Sequence, residues 1–124
     1  MDWFTTVMTQ RYARFTGRAQ RAEYWYFYLF VTLIYLVTTL IDVLLGLFSL
    51  ELGIGPVGAL ASIALAVPSI SVTVRRLHDT DRSGWWMLIL LLPLIGAIVL
   101  VVFTVQAGTA GTNRYGPDPL GTPP

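Results

Sequence analysis

Residues 83–106 read SGWWMLILLLPLIGAIVLVVFTVQ, and the way this stretch meets a bilayer decides the fold. Its 24 residues carry no charge. As one continuous helix they would cover about 36 Å, enough to cross a hydrocarbon core of about 30 Å. Pro93-Leu94-Ile95-Gly96 breaks the run near its middle, because proline removes a backbone donor and clashes with the preceding turn. One layout is a full third span that leaves the C-terminal tail on the far side. The other is a re-entrant hairpin with arms of about 13 Å that returns the tail to its side of entry. Lipid-facing backbone in so short a hairpin needs protein cover, so three full spans are the expectation and the hairpin is the alternative.

The surrounding chain has the composition of a membrane protein. Of 124 residues, 55% are hydrophobic and only 12% charged, with a mean hydropathy of +0.66. Soluble domains carry about 25% charged residues. There is no cysteine, which excludes disulfides, thiolate metal sites and cysteine nucleophiles. Residues 24–48 form a first expected span, uncharged up to Asp42, and residues 55–74 a second, with Pro56 in its first turn and Pro68 deeper in, where a kink is expected. The first run is too long, and lacks the small-residue cleavage site, for a removable signal peptide, so it reads as an uncleaved anchor.

Charge placement sets the expected orientation. Arg11, Arg14, Arg18 and Arg21 precede span one; Arg75, Arg76 and Arg82 follow span two; the loop between them has no basic residue. Positive segments are retained in the cytoplasm, so the N-terminus and the 75–83 loop are expected there. Tyr24, Trp25, Tyr26, Tyr28, Trp85 and Trp86 fall at the same level, where amphipathic rings prefer to lie. Seven of eight arginines and all four tryptophans then occupy one side.

Residues 1–23 read as a cytoplasmic interfacial segment, helical at least to Thr16, with Trp3, Phe4, Val7, Met8, Tyr12 and Phe15 on one half and the arginines at its edge. On span two, Gly58, Ser62, Ala66, Ser69 and Thr73 form a small-residue ridge suited to close helix packing. Asp42 is the acid inside an apolar run, a default functional candidate. Its position about 27 Å from Tyr24, near the outer headgroups, weakens that reading. It would line a pathway only between protomers.

The loop VRRLHDTDRSGWW (74–86) gathers His78, Asp79 and Asp81 among three arginines. A His–carboxylate acid–base pair or a metal site can be drawn on paper, but neighbours on a helix point about 100° apart and ligands are too few. The bland account pairs Arg75 with Asp79 at i, i+4, lets Asp81 or Ser83 cap span three, and anchors Trp85 and Trp86 at the interface.

RRLHDTDRSGWW, with FTGRAQRAEYW before span one and AGTAGTNRYGPDP after span three, closely resembles the bacterial inner-membrane family catalogued as domain of unknown function 805, the YhaH-like proteins. The resemblance covers nearly the whole chain in order. The matching residues are Phe15, Gly17, Arg18, Arg21, Glu23, Tyr24 and Trp25; Arg75, Arg76, Leu77, His78, Asp79, Asp81, Arg82 and Trp86; and Gly108, Gly111, Asn113, Arg114, Tyr115, Gly116, Pro117, Asp118 and Pro119. It implies a small multi-spanning inner-membrane protein and brings no activity, substrate or cofactor.

The expectation is therefore an all-α, single-domain polytopic membrane protein with three transmembrane helices and an N-terminal interfacial helix: segment 1–23, spans 24–48, 55–74 and 84–106, loop 75–83, and a Gly/Pro-rich tail 107–124 that is loosely ordered. Anionic lipid or another anion is expected at Arg14, Arg18, Arg21, Arg75, Arg76, His78, Arg82, Trp85 and Trp86, with Asp79 and Asp81 as polar partners. No catalytic residue, metal or cofactor is assigned, and nucleic acid is not an expected partner. The leading function is a non-enzymatic, oligomeric bacterial inner-membrane component that binds anionic headgroups or a membrane partner protein, with a homo-oligomer as one expected assembly. A transporter or channel subunit, and an enzyme on a phosphate-bearing lipid, are the alternatives.

Overall fold

The computed structural model describes residues 7–120. Two 24-residue helices, α1 (Arg21–Leu44) and α2 (Pro56–Asp79), form its body, followed by a 3-10 helix (Gly84–Leu91) and a short helix α3 (Ile95–Val105). Both long helices are apolar and long enough to cross a membrane. Their outer surfaces are studded with exposed aliphatic side chains such as Leu33, Leu36, Val37, Leu40, Leu60 and Ile63. That is the reverse of a soluble protein's surface and suits contact with lipid tails.

α1 and α2 run antiparallel around a small core of Phe27, Val31, Leu65 and Val72, which Val7 and Ala19 complete. Tyr28 hydroxyl lies 3.1 Å from Thr73 Oγ1 and 3.4 Å from the Ser69 carbonyl, so this end of the small-residue ridge faces α1. Gly58 is buried too, whereas Ala66 faces outward. The ridge is thus split between the α1 contact and the exterior.

Pro68 leaves the helix ladder of α2 one donor short, since it has no N–H for the carbonyl of Ala64 four residues earlier. Tyr12 hydroxyl donates to that carbonyl at 2.7 Å. The N-terminal segment therefore mends the break. Its course differs from the expected interfacial helix: residues 7–9 are helical, the chain from Arg11 to Gln20 is not, and Val7 is fully buried against α1 and α2. Trp3, Phe4, Thr5 and Thr6 lie outside the described residues. The segment tucks into the helix pair because its backbone and Tyr12 supply hydrogen-bond partners that α2 lacks.

Asp42 is fully buried, and its two carboxylate oxygens accept the N–H groups of Val57 at 3.1 Å and Gly58 at 2.9 Å. These are orphan donors at the start of α2, where the helix dipole favours a negative charge. A carboxylate so committed does not line a path between protomers.

The third apolar run is a hairpin rather than a full span. The 3-10 arm enters with Ser83 as N-cap, its Oγ accepting the Trp85 N–H at 3.3 Å, and the chain reverses at Pro93-Leu94, Leu94 taking φ 58°. α3 then returns along the first arm, and Gly96 lies so close to the Ile89 carbonyl that no side chain fits there. Both ends of the hairpin meet: Arg82 donates to the Gln106 side chain at 2.9 Å and lies 3.9 Å over the Phe103 ring, which packs edge-on against Trp86. The C-terminal half of α2 packs against the base of the hairpin, Val74 against Gly84 and Arg76 on the Thr104 carbonyl, whereas the 3-10 arm has no buried residue and the tip at 91–95 is exposed.

A candidate polar site at the hairpin end

The start of α1 and the end of α2 lie side by side, and their termini prefer opposite charges: anions at the first, cations at the second. Glu23 sits in the first turn of α1; Arg76 and His78 sit in the last turn of α2. The sequence places the right signs at the right ends. Their pairing builds a buried ionic plug.

In its first half, Arg75 Nη1 reaches both oxygens of Glu23, at 2.9 and 3.0 Å, while Nε donates to the Arg14 carbonyl at 3.0 Å. Arg11 also donates to Glu23. In the second half, Asp79 takes Arg18 Nε at 2.9 Å on one oxygen and Arg76 Nη1 at 2.5 Å on the other. Glu23, Arg75, Arg76 and Asp79 are all buried, as is Arg18. Asp79 thus pairs with Arg76 and Arg18, not with Arg75 as the i, i+4 spacing suggested. α2 continues to Asp79, so residues 75–79 are helix rather than loop.

Two carboxylates cannot neutralise four guanidinium groups; backbone carbonyls take most of the remaining donors, while Arg75 Nη2 is buried without a partner among the described residues. Arg18 donates to the carbonyls of Gly111 at 2.6 Å and Thr109 at 2.5 Å, and Arg76 to those of Thr104 at 2.9 Å, Ala19 at 3.1 Å and Gln106. Residues 107–116 of the Gly/Pro-rich tail therefore lie ordered across the plug. Thr109 N–H donates to the Asp79 carbonyl at 2.7 Å, and Gly108 approaches the Asp79 carboxylate too closely for any side chain. His78 stacks flat on Tyr115, centroids 3.9 Å apart, while Nδ1 meets the Gly17 carbonyl at 2.9 Å and Asn113 donates to the His78 carbonyl at 2.9 Å. Arg114 and Asp81 form an exposed ion pair at 3.1 Å.

The structure divides the expected anion-binding residues. Arg18, Arg75 and Arg76 are buried with their donors turned inward, so they do not face headgroups; burying a guanidinium without such partners would be prohibitive. Arg14 and Arg21 are exposed and Arg82 is half-buried, with Trp85 and Trp86 exposed beside it. His78 and Asp79 do not form an acid–base pair, and among the described residues no three His, Asp or Glu side chains converge as metal ligands would. Arg11, Glu23, Asn113 and Tyr115 were absent from the expected site. The signal for three of them was the motif resemblance, in which Glu23, Asn113 and Tyr115 each hold a place.

Residues 12–117 match the family model described as "Protein of unknown function (DUF805)". "Inner membrane protein YhaH" of Escherichia coli (strain K12) is 45% identical over 119 residues, 96% of this chain and 97% of that protein. "Inner membrane protein YhaI" of the same strain is 42% identical over 119 residues, 96% of each chain. No solved structure matches the chain.

Proposed function

The chain belongs to the DUF805 family, and from that premise we propose that it is a non-enzymatic component of the bacterial inner membrane that gathers anionic lipid headgroups at its arginine-rich end. It is a multi-pass protein, and the proposed orientation turns that end to the cytoplasm, where positive segments are retained and where the leaflet surface is negative. The observation that carries the reading is the positive charge left over once the plug is built. Arg14 and Arg21 remain exposed, and Arg82 half-exposed, on the same end as Trp25, Trp85 and Trp86, while the flanks are aliphatic. Guanidinium groups can reach phosphates from there while indoles hold the headgroup level.

The test is lipid analysis of protein purified in native-like discs. The Arg14→Gln, Arg21→Gln, Arg82→Gln triple variant should lose its enrichment of anionic over zwitterionic phospholipid while still inserting. An unchanged lipid ratio refutes the reading. Reconstitution in pure lipid separates headgroup binding from the docking of a partner protein, because no partner is then present.

A further inference from the structure

We propose that the groove between α2 and the 3-10 arm of the hairpin seats one anionic phospholipid, with an acyl chain along Ile70, Val74, Met87 and Leu88 and its phosphate within reach of Arg14 and Ser83. This rests on the proposed headgroup binding and narrows it from a surface to a single seat.

The groove has a volume of about 520 Å³, inside the range of about 300–1,000 Å³ typical of small-molecule clefts. Its walls are aliphatic and aromatic along most of their length, and Ile70, Trp85 and Leu88 leave it open to the surface that carries the other exposed aliphatic side chains. Polar atoms gather at one end only. A carbonyl can only accept, so the Gly17 carbonyl fixes the hydrogen of the neutral His78 ring on Nδ1 and leaves Nε2 an acceptor, which can take a headgroup hydroxyl but not a phosphate oxygen. Ser83 Oγ accepts from Trp85 N–H, which leaves its own hydrogen to donate.

Arg14 supplies the charge. Phe15, its neighbour in the chain, lines the groove, and Arg14 Nη2 lies 3.6 Å from the point where a Cβ on Gly17 would stand, on the residue whose carbonyl holds His78. Arg14 enters none of the ion pairs among the described residues, whereas Asp79 and Asp81, the acids closest to His78 in the chain, are each held by arginine. An apolar slot with a serine donor at its polar end, and beside it a guanidinium that forms no ion pair among the described residues, complements a lipid with a charged phosphate and a long tail.

The experiment uses the full chain in phosphatidylcholine vesicles doped with a phosphatidylglycerol or a phosphatidylcholine probe bearing a photoreactive acyl chain, with labelled residues mapped by mass spectrometry. The phosphatidylglycerol probe should label the groove residues about tenfold more than its zwitterionic counterpart, the value of one charge-assisted contact. Equal labelling overturns the proposal. Val74→Trp should fill the slot and abolish labelling; Ile70→Trp, at the exposed mouth, does the same where Val74→Trp fails to fold, and persistent groove labelling in a folded variant is a refutation. Arg14→Gln should erase the headgroup preference and Arg21→Gln should leave it intact. If Arg21→Gln erases it equally, the single seat falls and the surface reading stands. Loss of bulk anionic enrichment with the groove preference retained would remove the surface reading alone.

Discussion

The two ends of the α1–α2 pair solve the same problem with different means. At one end the C-terminus of α1 meets the N-terminus of α2 across a short loop, and one carboxylate, Asp42, satisfies two orphan amides 15 and 16 residues ahead. At the other, Glu23 and Asp79 hold Arg11, Arg18, Arg75 and Arg76, and backbone from residues 104–116 closes over them. The first is a local cap. The second ties together pieces up to 98 residues apart. A capping carboxylate suffices where two helices are joined directly, whereas the end that must also receive the N-terminal segment, the hairpin and the tail is organised by guanidinium groups, whose five donors can serve several partners at once.

The largest expected effect tests whether the ends lie on opposite sides of the bilayer. The native chain has no cysteine, so single variants are clean reporters. A membrane-impermeant maleimide should give Ala13→Cys and Thr112→Cys one accessibility and Glu51→Cys the other, in an all-or-none pattern. If Thr112→Cys follows Glu51→Cys, the tail has crossed and the plug is not formed.

Next in size is Asp79→Asn, which leaves Arg18 and Arg76 without their shared carboxylate. Breaking a buried pair by removing one partner costs about 3–5 kcal/mol, readable as a steep loss of thermal stability in detergent. Asp42→Ala, at the simpler end, should cost about 2 kcal/mol, the worth of a lost cap with charged hydrogen bonds. Equal losses at the two sites would erase the contrast between a local cap and a long-range plug. Tyr115→Ala, which removes the ring stacked on His78, should cost about 1 kcal/mol and raise proteolysis of the tail. Arg114→Gln breaks only an exposed ion pair and should leave the melting temperature unchanged.

The apolar runs, the family resemblance and the crowding of arginine and tryptophan at one level are readable in the sequence because each depends on residues near one another in the chain. Ser83 as a cap was readable for the same reason. The partners of Arg75 were not: i, i+4 spacing pointed to Asp79, while Glu23, 52 residues earlier, takes the guanidinium because two antiparallel helices bring their oppositely polarised ends together. The hairpin was visible as a proline–glycine break, yet the need to shelter its backbone from lipid favoured a full span, since the contacts that hold its base, from Val74 and Arg76, belong to another helix.

By itself, then, the sequence determined that this is a helical membrane protein with its positive charge gathered at one end, because hydropathy and charge act residue by residue on partition between water and lipid. Only the tertiary structure decided that Arg18, Arg75 and Arg76 are interior struts while Arg14 and Arg21 stay outside. Which guanidinium finds a carboxylate depends on where the folded backbone carries it, and in a low-dielectric interior an unpaired charge is too costly to leave that choice open.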